Sequence, residues 1–402
     1  MLEFIPLEEA RRILFENSTS QMQVEYAPLT NSCGRMLSEN LTAQINIPPF
    51  NRSAVDGFAL NTNNLNNLEF TLVGNVPAGH SFAEPLPKGT CVRIFTGAPI
   101  PAETTTIVRQ EDVQVESNKI FVKRQFSLGD NIACCGEDVK TGDLLLEAGT
   151  VINPACVGIL ASQGITQVPV FRRPKVGILS TGDELVLPGE PLKPGSIYNS
   201  NLFSIASLVE NLGAEAVLLG TVEDSLEAIS DKLIFTLPKV DVVVTTGGSS
   251  VGDYDVVKEA ISNIGGDVLF WRVAIKPGTP VIAGRYNGKL FLGLSGNPAA
   301  ALIGAELLLA PLLRKMMGYR DYSLETVKAV VNGRVDKANG IRRMLRVSVE
   351  KSETGLVAQL PAKQKSGILK SLAECNGVLD LGPRELINEG ERYKVILFNR
   401  WE

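Results

Sequence analysis

Apolar positions at Leu7, Ala10, Ile13 and Leu14 recur at helical spacing behind Pro6, with Arg11 and Arg12 on the opposite face, so the pattern predicts an amphipathic helix near the start of the chain. From about residue 44 to 138 the apolar runs shorten to strand length, as at 70–73, 91–95 and 120–122, divided by Gly, Pro and Asn clusters that mark a small all-β unit. At Asn153-Pro154 a cap residue and a first-turn proline restart a helix that carries Val157, Leu160 and Ala161 and stops near Gly164. Helical patterns on both sides of the β segment predict an insertion: residues 1–43 and 139–172 form one elongated helical unit, interrupted by a β-domain over 44–138.

After Arg172-Arg173-Pro174 the rhythm changes. Continuous apolar strands at 175–179, 216–219, 241–244, 268–273 and 290–294 alternate with helical patterns at 201–212, 225–237, after Tyr254 and from Pro298. Strands of this kind are buried on both faces, which predicts a doubly wound, mostly parallel sheet covered by helices over residues 173–320. Short strands return at 327–331, 345–349, 356–360 and 392–398, so a small β-domain over 321–402 ends the pattern. The expected fold class is therefore α/β plus β, multidomain.

Composition narrows the chemistry. Lysine plus arginine is 39 and aspartate plus glutamate 44, a net charge of −5, which gives no global footprint for nucleic acid or an anionic membrane. The greasiest stretch, 299–313, is broken by Gly304, Glu306 and Pro311 and is too short to span a bilayer. Glu3, Glu8 and Glu9 stand where a signal peptide needs positive charge, so the expected location is cytoplasmic. Six cysteines show no framework spacing and read as small buried hydrophobes. The single histidine, His80, sits in a Gly-Pro turn, which leaves no basis for a histidine-rich metal site. Any catalysis must run on carboxylates, cations, main-chain amides and a hard, oxygen-seeking metal ion.

In an open parallel sheet, ligands bind beyond the carboxyl ends of the strands. Three loops there combine glycine, hydroxyls and a following helix start: Thr181, Gly182, Asp183 and Glu184 after the first strand; Thr246, Gly247, Gly248, Ser249, Ser250 and Gly252 after the third; and Ser295, Gly296, Asn297 and Pro298. Glycine turns aim amides into a concavity, and helix N-termini hold phosphate without a large positive charge. None is a Walker loop or a dinucleotide fingerprint. Arg272 and Lys276 lie an even number of residues apart near Thr279, which on a continuous strand puts both cations on one face. Glu184, Asp224 and Asp255 gather at the same loops, though Asp224 and Asp253 also read as helix caps. Cations with carboxylates at strand ends point to a phosphorylated ligand and a divalent metal.

The segments 48–59, 95–101, 136–138, 180–185, 246–255, 275–280 and 296–298, in this order, resemble the molybdopterin molybdenumtransferase family, which includes bacterial MoeA and the gephyrin E domain. The resemblance implies a homodimer of four-domain subunits, with a molybdopterin-binding α/β domain and a C-terminal β-barrel. It implies the last step of molybdenum cofactor synthesis: adenylylated molybdopterin and molybdate, with Mg2+, give molybdenum-loaded molybdopterin and AMP. It also implies a transient contact with the adenylyltransferase of the same pathway, and neither nucleic acid nor membrane as partner. Carried over by position, Asp56, Asp138, Glu184, Lys276 and Arg272 are expected catalytic residues and Asp224 and Asp255 metal ligands. The three loops, together with Thr279, Arg346 and Ser366, are expected to hold the cofactor. Where the family commonly has lysine, lysine, proline and serine, this chain has Arg272, Thr279, Ser295 and Ala300, and Ala133-Cys134-Cys135 stands where an arginine is usual. Two other readings stay open at this point: a molybdopterin-binding scaffold with lost or altered catalysis, and insertion of tungstate.

Overall fold

A computed structural model describes residues 2–18, 22–247, 253–353 and 355–398, the side chains of 253–255 excepted. The chain divides into two compact units: Ala27–Cys33 with Glu39–Val168, and Met1–Tyr26 with Gly34–Ser38 and Pro169–Glu402. In the first, a six-stranded sheet runs in the order Thr106–Arg109, Gly57–Leu60, Thr90–Ile94, Glu69–Val76, Lys119–Val122, Val113–Glu116. Both of its faces are covered. Phe58 and Leu60 pack into one apolar cluster and Ala59 into another, as strand alternation requires, whereas Phe70 and Val76 of one strand fall into different clusters across a bulge between Leu72 and Gly74. The helix Pro154–Ser162 starts where expected, the Asn153 side chain accepting from the Cys156 amide at 2.9 Å.

The second unit holds a seven-stranded sheet. Its strands in chain order are β1 (Leu2–Ile5), β2 (Lys175–Thr181), β3 (Glu215–Val222), β4 (Val242–Thr246), β5 (Asp267–Val273), β6 (Ile282–Tyr286) and β7 (Lys289–Leu294), paired in the order β1-β5-β6-β7-β4-β2-β3. Four of the six pairings are parallel; only those made by β6 are antiparallel. Helices α1 (Leu7–Asn17), α2 (Ser200–Asn211) and α5 (Pro298–Gly304) contribute to one core with Val242 and Val244, and α3 (Leu226–Thr236) and α4 (Asp253–Asn263) to another with Val243. This is the doubly wound arrangement. The N-terminal helix thus belongs with the α/β sheet, whereas the Asn153 helix, grouped with it from sequence, falls in the other unit. The reason is β1, whose Leu2 and Ile5 register against Phe270 and Val273 and draw α1 onto the sheet. Four residues with one buried side chain give periodicity nothing to detect.

Five further strands, β8 (Thr326–Asn332), β9 (Arg342–Ser352), β10 (Gly355–Gln359), β11 (Gly377–Leu381) and β12 (Arg392–Leu397), pair in the order β9-β10-β8-β12-β11. The ring closes where β11 returns to β9, Leu379 opposite Leu345, around a core of Val331, Val347, Ala358 and Val395. The segment Ile275–Lys276 pairs in parallel with Arg342 and Arg343 and joins this barrel to the α/β sheet.

Candidate functional site

The ends of β2, β4 and β3 are bound together by side chains rather than by apolar packing. Ser180 donates to Asn199 Oδ1 at 3.1 Å and meets Thr246 Oγ1 at 3.0 Å, while Asn199 donates to Thr221 at 3.1 Å and caps α2 through the Leu202 amide at 3.1 Å. Ser180, Thr246 and Asn199 are all buried, so this network fixes the strand ends. Around it lies a small cavity of about 140 Å³, lined by Thr181, Glu184, Asn201, Gly247, Gly296 and Asn297 among others. Gly247 is required here: a Cβ would come within 2.7 Å of Thr181 Oγ1. Gly182 is constrained by its backbone, whose φ of +147° strains any residue with a side chain.

A larger cleft of about 540 Å³ opens between the α/β sheet and the barrel. Three cations line it, Lys276, Arg343 and Lys365, with hydroxyls from Thr279, Ser295 and Ser366, the amides of Asn297, Asn339 and Gln364, and no carboxylate among the described residues. The loop that brings Lys365 and Ser366 is anchored by Gln364, whose side chain accepts from the Arg346 amide at 3.0 Å and donates to its carbonyl at 2.9 Å, as a neighbouring strand would. The Ser366 carbonyl then accepts from the Ala299 amide at 3.0 Å, capping α5. Asn297, the residue just before that helix, makes no side-chain cap bond and lines both cavities instead. An anion drawn into this cleft meets positive charge, hydroxyls and a helix start together.

The expected site residues separate accordingly. Thr181, Glu184, Thr246, Gly247, Gly296, Asn297, Pro298, Ser295, Thr279, Lys276 and Ser366 line one cavity or the other. Gly182 and exposed Asp183 form the turn beside the smaller one. Arg272 is not brought to Lys276: its φ of +65° breaks the strand alternation, and its guanidinium stacks 4.1 Å from the Trp271 ring and faces Glu3 at 3.6 Å. Arg346 lines neither cavity. It is 0% exposed, donates to the Lys363 and Lys365 carbonyls at 3.0 and 3.2 Å, and is held below the usual arginine range by burial. The arginine at the cleft is Arg343, whose Nη1 and Nη2 reach the Lys337 and Glu385 carbonyls. Asp56 and Asp138 belong to the other unit, where the Thr96 amide and hydroxyl, at 2.8 and 2.7 Å, hold the Asp56 carboxyl below the usual range. Asp224 follows β3, but the cap of α3 is Ser225, which accepts from the Ala228 amide at 3.3 Å. Gly248, Ser249, Ser250 and Gly252 and the Asp255 side chain lie outside the described residues. Among the described residues no three His, Cys, Asp or Glu side chains gather as a metal cluster, and no helix is long and apolar enough to cross a membrane. Sequence reasoning missed Asn201, Asn339, Arg343, Gln364 and Lys365. Of these only Arg343 carried a signal, its strand parity with Leu345, and the rest are recruited by tertiary contact.

Comparison with known proteins agrees with this architecture. The family model for the MoeA N-terminal region (domain I and II) matches residues 5–164, that for a probable molybdopterin binding domain 177–315, and that for the MoeA C-terminal region (domain IV) 328–398. The chain is 38% identical to the molybdopterin molybdenumtransferase of Haemophilus influenzae over 79% of each chain. It is 35% identical to that of Bacillus subtilis over 98% of this chain and 94% of the relative. A solved molybdopterin biosynthesis MoeA protein from Pyrococcus horikoshii OT3 superposes with a TM-score of 0.80 at 32% identity, over 98% of this chain and 100% of that one. Another Pyrococcus MoeA structure reaches 0.86 at 30% identity, covering 99% and 100%.

Proposed function

Because the chain belongs to the molybdopterin molybdenumtransferase family, and so to the transferases of molybdenum cofactor biosynthesis, we propose that it inserts molybdate into adenylylated molybdopterin with release of AMP. The observation that carries this reading is the cleft lined by Lys276, Arg343 and Lys365 with no carboxylate among its described residues, the charge pattern an oxyanion requires. Ser295 and Ser366 would orient the tetrahedral oxyanion beside the dithiolene sulfurs, while the Thr279 hydroxyl, which donates to the Ile275 carbonyl at 2.6 Å, shapes the wall of the cleft. Water attacks the phosphoanhydride and AMP leaves, while the two dithiolene sulfurs displace two oxygens of molybdate, which depart as water with the thiol protons and protons from solvent, so no protein nucleophile is needed.

Asp224 stands two residues after β3, before the start of α3, and Asp255 is the third residue of α4; two hard carboxylates suit Mg2+, which completes its shell with water and phosphate oxygens. When bound, the ion would supply charge neutralisation at the phosphates. The family reading also proposes a homodimer and a transient encounter with the adenylyltransferase that delivers the substrate.

The test is AMP release by the purified protein from adenylylated molybdopterin. We expect release to require both molybdate and Mg2+, and Asp255→Ala to abolish it while circular dichroism is unchanged. Release that ignores molybdate, or a fully active Asp255→Ala protein, would refute the reading or the metal assignment respectively.

A further inference from the structure

Three cysteines are exposed, Cys33, Cys134 and Cys135, and two of them are neighbours in the chain. The turn that carries the pair is held by its main chain. The Cys134 amide donates to Glu137 Oε2 at 2.8 Å, the Cys135 amide to Asn51 Oδ1 at 2.7 Å and the Gly136 amide to the Pro48 carbonyl at 3.0 Å. The Cys135 thiol donates to the Pro49 carbonyl at 3.3 Å, and its sulfur accepts from Asn46 Nδ2 at 3.2 Å. That amide is oriented from its other side, because Asn46 Oδ1 accepts from the Thr141 amide at 2.8 Å and the Thr141 hydroxyl at 3.1 Å. An N–H aimed at sulfur supports a thiolate, or a sulfur bound to a soft centre. Two other fates of a thiol pair are closed. The peptide bond between the neighbours is trans, so their Cα atoms stand about 3.8 Å apart, short of the roughly 4.4 Å at which unstrained disulfides begin. Among the described residues no third His, Cys, Asp or Glu side chain gathers with them, so zinc would lack its tetrahedral shell. What suits the pair is a soft centre satisfied by two thiolates.

We propose that Cys134 and Cys135 form a vicinal dithiol site that captures trivalent arsenic. An organoarsenous oxide, R–As=O, gives up its oxygen as water with the two thiol protons and gains two As–S bonds. Arsenic stays trivalent, so neither oxidant nor reductant takes part. A bridging atom lets the two sulfurs stay farther apart than a disulfide does, which neighbouring backbone positions tolerate. Asn46 keeps its N–H on the Cys135 sulfur, while the exposed Pro49 carbonyl, released by the thiol, is left to water. The site is independent of the reaction proposed above, and neither stands on the other.

The experiment treats the reduced full chain with phenylarsine oxide, counts accessible thiols before and after, and maps the adduct by mass spectrometry. One phenylarsenic group per chain is expected to consume two of the three exposed thiols, to survive an excess of the monothiol mercaptoethanol and to be released by the dithiol dimercaptopropanol. It should map to the segment between Arg124 and Lys140, which holds no other cysteine. Cys134→Ser and Cys135→Ser should each weaken capture by about a hundredfold or more, because the second sulfur then adds no effective concentration. Neither change touches a core, so the thermal midpoint should hold. Cys33→Ser should leave capture as it is. Asn46→Asp keeps the acceptor for Thr141 but sets an oxygen in place of the donor that faces sulfur, and should weaken capture about tenfold. Full capture in either variant of the pair, an adduct on Cys33, no capture by wild type, or a disulfide between the neighbours in aerated protein would overturn the proposal. An unchanged affinity in Asn46→Asp would remove Asn46 from the site.

Discussion

Lys276 and Arg272 show how one residue's backbone decides the role of its charge. Arg272 adopts a left-handed conformation that costs a non-glycine residue of order 1 kcal/mol or more, and in doing so turns its guanidinium toward Trp271 and Glu3. Lys276 remains exposed at the mouth of the cleft. A charge-assisted hydrogen bond to an oxyanion is worth roughly 1.5–3 kcal/mol. We therefore expect Lys276→Ala to raise the molybdate concentration needed for half-maximal AMP release by about tenfold or more, with kcat less affected, while Arg272→Ala shifts it far less. Saturation curves in molybdate check this, and equal shifts in the two variants would put both cations back on one face. The same logic separates Arg343 from Arg346. Side chains alternate along β9, so Arg343 and Leu345 share the cleft side, whereas Met344 joins the core of the α/β sheet and Arg346 is spent on holding the 363–365 loop.

At the scale of elements, helix caps separate what local sequence controls from what it does not. Asn199 caps α2 through the Leu202 amide and also ties Ser180 and Thr221, so Asn199→Ala is expected to cost about 2 kcal/mol in urea unfolding. Asn297→Ala should cost much less, since the Ser366 carbonyl already caps α5, yet it should weaken ligand binding. A penalty at Asn297 as large as at Asn199 would contradict that division. Sequence reading located β2, β3, β4, β5 and β7 from their apolar runs, and with them the loops at the strand ends, because burial on both faces leaves a local signature. It passed over β6, although Asn287-Gly288 marked the turn: both residues have positive φ, 47° and 76°, as the commonest two-residue hairpin turn demands. The loop 361–366 carried no such mark. Its place depends on Gln364 finding the free edge of β9 from another part of the chain, a contact that no local pattern encodes. The cysteines divide for a related reason: Cys91, Cys156 and Cys375 are buried as expected, but Cys33, Cys134 and Cys135 are exposed in turns where no core requires them.

Across the whole molecule, the larger unit is tied together by two half-buried carboxylates that join segments far apart in sequence. Asp241, just before β4, takes both arms of Arg172 at 2.9 and 3.0 Å, the Lys175 amide at 2.8 Å and Lys289 at 3.4 Å. Asp380 on β11 receives Arg342 at 2.5 and 2.6 Å, and Arg342 also reaches Glu8 of α1 at 2.6 Å, so barrel and N-terminal helix meet at one guanidinium. Burial alone would push these carboxyls up. The hydrogen bonds from Arg172 and Arg342 outweigh it and hold Asp241, Asp380 and Glu8 below their ordinary range. A depressed folded-state pKa means that the stabilisation is fully present above the unfolded value, near 4 for aspartate, and disappears as pH falls through the folded value. Removing one partner of a fully buried pair costs about 3–5 kcal/mol while the other stays charged and uncompensated, and a pair partly open to solvent, as Arg172 and Asp241 are, falls at or below the lower end of that range. Asp241→Ala should accordingly lose about 3 kcal/mol of unfolding free energy at pH 7, and progressively less as wild type itself loses the interaction below about pH 4. Urea unfolding of both proteins from pH 7 down to pH 3 measures the difference directly. If the gap stayed constant across that range, Asp241 would be contributing neutral packing and hydrogen bonding rather than charge, and the acid sensitivity of this unit would have to arise at Asp380 and Glu8 instead.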